Sequence, residues 1–351
     1  MGMVQFPVSS LVAAEALVLF REEFALCRLQ RTERALIISD PSTNPNYVAA
    51  CFGAALSLGV EIAQVVVPTV EGTPDQISTR VAERPVPYQH IIELMKHMEF
   101  VVDLSSRGFL HSERQVEMLS RGMRMLRVRE PIEELQRLFP TEDNQRRVQA
   151  SARVLADGAQ YRVTRGGATD LAVGRGATPV FTQYGFAEAP GRWDHWPTAL
   201  AAVAPDEQTA HGTLVLAPGD FAGSRYVHDT VHLTIEGGRI TRVDGGLDAV
   251  LIRDHLARGQ GTDADRISHV GWGCDPRSRW DALERYEAYH QGGAEMRSVY
   301  AGIVIAFGSN ADMGGRNRAQ LHLDLGLRGA RFAIDGRGIL DGHEFLVSEL
   351  R

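Results

Sequence analysis

Four short apolar runs stand out in the first 130 residues: "RALIISDP" (34–41), "VEIAQVVVP" (60–68), "EFVVDLSS" (99–106) and "MRMLRV" (123–128). Each has the length of a strand and lacks helical periodicity, which predicts buried strands. Between them lie stretches of helical length: "NYVAACFGAALSLG" (46–59), closed by Gly59, "PYQHIIELMKHM" (87–98), and "HSERQVEMLSRG" (111–122), closed by Gly122. Strand–helix–strand repetition favours a parallel sheet, because parallel neighbours need a long crossover. The N-terminal "MGMVQFPVSSLVAAEALVLFREEF" has no basic leader and acids interrupt its apolar run, so it predicts an amphipathic helix rather than a signal peptide. A further helix is predicted over 140–158, with Thr141 as N-cap and Glu142 and Asp143 at its positive end.

Past that helix the texture changes to Gly, Thr and short alternating runs, as in "GTLVLAPGD" (212–220), "DTVHLTIEGGRITRVDGG" (229–246) and "AGIVIAFGSN" (301–310). "IEGGRI" reads as a hairpin turning at Gly237 and Gly238. The expected class is α/β: an N-terminal open α/β domain with a parallel sheet over 1–150, then a C-terminal β-rich α+β domain over 151–351. The second domain is expected to be mostly antiparallel, with helices near 247–259 and 278–292. A chain of 351 residues exceeds the roughly 250–300 at which one core stops growing, which also predicts two domains.

The clearest alternation is "AQLHLDLGLRGA" (319–330). Leu321, Leu323, Leu325 and Leu327 take every second position, with His322, Asp324, Gly326 and Arg328 between them. On a strand this makes one leucine face and one polar face. His322 and Asp324 then sit about 6–7 Å apart on the same side, close enough to hold one ion. A third histidine would complete two imidazoles and a carboxylate, a facial set that leaves positions open and is used by non-haem Fe(II) oxygenases. Such a set leaves Fe(II) at +1, which a deprotonated phenolic substrate neutralises. With twelve histidines in the chain, spacing alone leaves the third ligand open. The four tryptophans fall in "YGFAEAPGRWDHWP" (184–197) and "ISHVGWGCDPRSRW" (267–280), where Gly and Pro predict loops that present His195 and His269. Filling gaps at the domain interface is the alternative use for the indoles.

Composition narrows the classes. The net charge of −7 gives no footprint for nucleic acid. Lys96 is the sole lysine, so a lysine-dependent phosphate loop or S-x-x-K site is excluded. Cys27, Cys51 and Cys274 are few, odd in number and far apart, which fits a reducing, cytoplasmic compartment. No membrane span is expected, since no apolar run approaches 18 residues.

The blocks "TQYGFAEAPGRWDHWP", "ISHVGWG-DPRSRW" and "HLDLGLRG", together with "FLHSERQ" (109–115) and "TEDNQRRV" (141–148), resemble the 2,5-dihydroxypyridine 5,6-dioxygenases, Fe(II) ring-cleavage enzymes of bacterial nicotinate breakdown. The resemblance runs over nearly the whole chain in the same order. It implies Fe2+ held by His269, His322 and Asp324, and a substrate pocket that includes His195 and His111, either of which could act as acid/base or bond the ring oxygens. It also implies opening of the C5–C6 bond with entry of both atoms of O₂, giving an N-formylmaleamate-type product with no organic cofactor. Where the family carries Glu before Y-G-[YF], this chain carries Gln183, a substrate contact that can hydrogen-bond but cannot take a proton. A closely related hydroxypyridine or aromatic diol is therefore also an expected substrate. The expected partners are that small aromatic molecule and O₂, with no nucleic acid and no membrane, in a homo-oligomer.

The wider superfamily includes leucyl aminopeptidase T-type metallopeptidases, so a two-metal hydrolase is the alternative. That chemistry needs two ions about 3.5–4 Å apart and more carboxylates, and Gln183 stands where an acid would serve it. A non-catalytic binding or regulatory protein on the same scaffold is the third reading; the complete His/His/Asp set argues against it.

Overall fold

The computed structural model describes residues 9–68, 89–105, 113–259, 261–285, 293–319 and 321–351. The four apolar runs form the strands Arg34–Ser39, Glu61–Val66, Phe100–Asp103 and Arg124–Val128, all parallel. Helices cover both faces of this sheet. Ala35 and Ile37 meet Phe20 and Phe24 of the helix Ser9–Leu26 and Ala50 and Ala54 of the helix Pro45–Ser57 on one side. Leu36, Ile38, Val101 and Met125 meet Ile91, Ile92 and Met95 of the helix Gln89–Met95 and Met118 of the helix Glu113–Ser120 on the other. Two-sided burial is why these strands read as unbroken apolar runs.

A fifth strand, Trp193–Trp196, adds to this sheet beside Arg124–Val128 and parallel to it, with His195 opposite Arg127. Numbered along the chain, the spatial order is 2-1-3-4-5, the doubly wound order in which ligands bind beyond the carboxyl ends of the strands. The sequence reading expected this segment to be a loop. It is a strand because both faces are covered: Trp196 packs edge-on to Phe20 and Phe139, and Trp193 joins the opposite cluster with Phe181. These indoles therefore belong to the apolar clusters on the two faces of the parallel sheet.

The helix Glu142–Asp157 carries the expected cap, with Thr141 Oγ1 accepting from Asn144 N at 3.2 Å. Thr141→Ala is expected to lower unfolding stability by about 1 kcal/mol, measured as a shift in urea midpoint at unchanged slope. The proposed division near residue 150 falls within this helix, and the strand Trp193–Trp196 lies on the far side of it from the sheet it completes.

The remaining strands form two antiparallel sheets packed face to face. The larger has eight strands, including the hairpin Val231–Glu236/Arg239–Gly245 with Gly237 and Gly238 at its turn. The other has seven, in the spatial order Arg225–Tyr226, Phe221–Ala222, His322–Leu327, Ile303–Gly308, Ile267–Gly273, Leu200–Val203, Val180–Gln183. Leu323, Leu325 and Leu327 enter the core between the sheets as the alternation predicted; Leu321 lies just before the strand and is half-buried. Trp272 crosses this core to Phe332 of the eight-stranded sheet, with ring centroids 5.0 Å apart.

"ISHVGWG" is therefore a central strand, where a loop was expected. Its glycines belong to close packing: a Cβ on Gly271 would lie 2.1 Å from the Ala201 carbonyl oxygen of the neighbouring strand. The helix expected over 247–259 is present as Leu247–Arg258. Of that expected over 278–292, Ala282–Arg285 is helical and residues 286–292 lie outside the described residues.

Candidate metal centre

Strand register assembles the three candidate ligands. In the seven-stranded sheet His269 pairs with Ala306, Ala306 with Asp324, and Gly308 with His322, so all three functional side chains share the face turned away from the leucine core. A β-bulge makes this possible on the His269 side. Ile267 opposes Phe307 and His269 opposes Ala306, leaving Ser268 as the extra residue, so Ile267 and His269 point to opposite faces despite being two apart.

The loop after the middle strand satisfies what the bulge disrupts. Asn310 Nδ2 donates to the Ser268 carbonyl, and Asn317 Nδ2 donates to the carbonyls of Ile267 and Gly308. Gly308 itself has φ 107°, and a Cβ there would lie 2.1 Å from the Leu321 carbonyl oxygen, so this loop can leave the sheet only from a glycine.

His269 Nε2 lies 3.1 Å and His322 Nε2 lies 3.3 Å from Asp324 Oδ1, with the two rings stacked at 5.3 Å. One ligand atom from each residue falls within a 4.8 Å group, and all three side chains are buried. His322 Nδ1 lies 2.9 Å from the Ser309 carbonyl oxygen, which leaves Nε2 as the atom that offers a lone pair. That carbonyl also accepts from Ser268 Oγ at 2.9 Å, so the bulge residue and the ligand share one anchor.

Electrostatics favour positive charge among these atoms. Burial alone would push the Asp324 carboxyl up, but His322, His269 and Arg297 hold it well below its usual range. Burial likewise opposes charge on His322, yet Asp324 and the Ser309 carbonyl raise its pKa above the usual value. Two imidazole nitrogens and a carboxylate that draw a cation between them are a donor set suited to a first-row divalent metal, including Fe(II).

The carboxyl end of the parallel sheet meets this face through the helix Ala294–Ser298. Arg297 Nη1 lies 3.5 Å from Asp324 Oδ2, and the Arg297 charge also acts on Glu130 and His195. His195 is buried on the fifth parallel strand with Nε2 3.3 Å from Glu130 Oε2. Asp194, wholly buried, accepts from the backbone N–H of Tyr184, Gly185 and His195 at 3.0, 3.0 and 2.8 Å, which ties the strand end bearing Gln183 to His195. Burial pushes the Asp194 carboxyl up to about 6 against those bonds and Arg192. Gln183 is buried, and its Nε2 has no hydrogen-bond partner among the described residues. His111 lies outside the described residues.

Sequence reasoning missed Glu130 and Arg297. Glu130 sits two residues past a strand end of a parallel sheet, where such folds bind ligands, and that position was its available signal. Nothing in the local pattern marks Arg297.

Comparison with known proteins gives a consistent picture. A family model described as 2,5-dihydroxypyridine 5,6-dioxygenase matches residues 15–346. The chain is 30% identical over 349 residues, 98% of each protein, to the 2,5-dihydroxypyridine 5,6-dioxygenase of Pseudomonas putida strain KT2440. A solved structure of 2,5-dihydroxypyridine dioxygenase from the same strain superposes with a TM-score of 0.89 at 29% identity, covering 97% of this chain and 99% of that one. The wild-type AmpT of Thermus thermophilus shares the fold, with a TM-score of 0.66 at 13% identity over 95% of this chain and 99% of that one.

Proposed function

This chain belongs to the 2,5-dihydroxypyridine 5,6-dioxygenase family, and on that premise we propose that it uses Fe(II), held by His269, His322 and Asp324, to open the C5–C6 bond of 2,5-dihydroxypyridine. It is a ring-cleaving dioxygenase, and the reaction adds both atoms of O₂ to the ring to give N-formylmaleamate. The observation that carries the iron assignment is the convergence of two Nε2 atoms on Asp324 Oδ1 in a buried site.

Held by His269, His322 and Asp324, Fe(II) would supply Lewis acidity toward a ring oxygen and a route for electrons from the ring to O₂. The chain's own residues do the rest. His195 accepts the proton that the ring hydroxyl loses on binding: the O–H bond breaks, an N–H bond forms, and the imidazole becomes cationic. Arg297 sets a fixed positive charge beside Asp324, which favours the anionic form of the ring. Gln183 offers its buried amide donor to a ring oxygen without competing for the proton. By the family resemblance, His111 is proposed as a second imidazole that bonds the ring oxygens. Burial of every ligand keeps bulk water from the reacting atoms.

Among the described residues no helix is long and apolar enough to cross a membrane. A cytoplasmic location is part of this reading, supported by three buried cysteines that form no disulfide.

The test is anaerobic reconstitution with Fe(II), a metal count, and O₂ uptake on adding 2,5-dihydroxypyridine. One iron per chain and one O₂ consumed per ring opened are expected. No uptake with any hydroxypyridine despite bound iron would remove the proposal. Two divalent ions per chain would favour the aminopeptidase-like hydrolase instead.

A further inference from the structure

We propose that Glu207, outside the ligand set, is a positioning residue for the metal centre: its carboxylate fixes Asn310, and through Asn310 the two backbone segments that aim His322 and His269. The inference rests on the reading above that His269, His322 and Asp324 hold the metal.

Glu207 lies between the strand Leu200–Val203 of the seven-stranded sheet and the strand His211–Leu216 of the eight-stranded one. Its backbone is fixed from behind. Thr209 N donates to the Asp206 carbonyl at 3.0 Å, and Arg266 Nη1 donates to the Glu207 carbonyl at 3.4 Å. The hairpin turn presses on the same carbonyl, since a Cβ on Gly238 would lie 1.6 Å from its oxygen. The side chain reaches the loop that joins Ile303–Gly308 to His322–Leu327. There Oε1 accepts from Asn310 Nδ2 at 3.3 Å and from Arg316 N at 2.7 Å, and Oε2 accepts from Arg316 Nη2 at 3.3 Å. Burial alone would push this carboxyl up, but the N–H groups of Arg316 and Glu207 itself, with Asn310 and the Arg316 guanidinium, hold it below its usual value. It is a buried carboxylate that keeps its charge, and hydrogen bonds to a charged acceptor contribute more than neutral ones.

Asn310 is wholly buried and carries the effect to the ligands. Its Nδ2 donates to Glu207 and to the Ser268 carbonyl at 3.2 Å, while its Oδ1 accepts from Asn317 N at 2.9 Å. A backbone N–H can only donate and a carbonyl can only accept, so the amide has one orientation. Gly315 leaves it no room to move, because a Cβ there would lie 2.1 Å from Asn310 Cγ. Ser268 is the bulge residue beside His269, and Ser309, next to Asn310 in the chain, presents the carbonyl that lies 2.9 Å from His322 Nδ1. One fixed amide therefore borders both histidines. Without the carboxylate, the Asn310 amide loses one of its two acceptors and the Arg316 N–H loses its own, so the loop is free to shift and to turn the His322 ring with it. Metal affinity responds to such a turn, because the partners of a ligating imidazole set its orientation.

The experiment measures Fe(II) and Zn(II) affinity by competition with a chelator in the full chain, for wild type, Glu207→Ala, Glu207→Asp and Arg316→Ala. The visible spectrum of each Co(II)-loaded protein reports ligand geometry, and the urea midpoint reports stability. Glu207→Ala is expected to bind both metals about 10-fold more weakly, the low end of what an outer partner costs, with altered Co(II) bands. Glu207→Asp keeps the charge but is one methylene shorter, and should fall between that variant and wild type. Arg316→Ala removes only an exposed ion pair and should stay within about twofold of wild type, with an unchanged spectrum. If the alanine variant does not fold, the aspartate variant still reads out a partial loss. A Glu207→Ala protein that binds metal as tightly as wild type with the same spectrum, whatever its urea midpoint, overturns the inference. So does an equal loss in Arg316→Ala, which would place the effect in the ion pair rather than in Asn310. If wild type binds no divalent metal, or His322→Ala binds it as tightly, the ligand assignment itself fails and the inference falls with it.

Discussion

Replacing His322 with alanine is expected to strip the metal from the centre while leaving the fold in place. The imidazole is one of the three proposed donors, and two remaining side chains would not match the affinity of three. The loss should exceed the roughly 10–100-fold in affinity that changing an outer partner of a metal ligand costs. Elemental analysis after dialysis is expected to find almost no iron, and O₂ uptake should fall with it. The fold survives for two reasons visible in the contacts. The Ser309 carbonyl that His322 touches keeps its bond from Ser268 Oγ, and Asp324 keeps His269 at 3.1 Å and Arg297 at 3.5 Å, so neither group is stranded. A variant that retains a full complement of iron and normal turnover would show that these are not the ligands.

The second large effect is on stability. Trp272→Ala should destabilise the chain by about 3–5 kcal/mol, a large share of the roughly 5–15 kcal/mol that holds a domain together. The indole is fully buried between the two antiparallel sheets, edge-on to Phe332 and Phe345, and its Nε1 donates to Ser151 Oγ at 2.9 Å. Truncation removes the aromatic contacts that join the sheets, leaves a cavity, and deprives the buried Ser151 hydroxyl of its donor. Trp272→Phe keeps most of the volume and should lose about 1–2 kcal/mol. The urea midpoint checks both. Because Trp272 faces away from His269, iron binding per folded molecule should change little. A loss within about 1 kcal/mol for the alanine variant would mean that the sheets do not depend on this contact.

The parallel sheet and the leucine-backed strand could be read from the sequence because each is a local pattern. Ala35 to Ile38 are apolar at every position since both faces are covered, and Leu323, Leu325 and Leu327 alternate since only one face meets the inter-sheet core. Two other strands were legible only as loops. Trp193–Trp196 and Ile267–Gly273 mix Gly, Asp, His and Trp, and their strand character comes from partners far away in sequence: Met125 to Val128 for the first, Ala201 to Val203 and Ile303 to Ala306 for the second. Gly271 reads locally as a breaker but is demanded by the Ala201 carbonyl beside it. The same division holds for the site. His322 and Asp324 share a strand, so their common face follows from alternation. His269 reaches them through a bulge at Ser268, and no local pattern marks a bulge. Glu130 and Arg297 enter through charges supplied by other elements, which spacing along the chain cannot reveal.

The fifth parallel strand also fixes an order of events during synthesis. Until Trp193–Trp196 emerges, Arg124–Val128, buried along its whole length in the finished protein, has a bare hydrogen-bonding rim ready to pair with a neighbouring nascent chain. At about 5–20 residues per second, that rim stays uncovered for seconds. The strand that ends this exposure is also the one that carries His195, so the last piece to close the early sheet brings the proposed base with it.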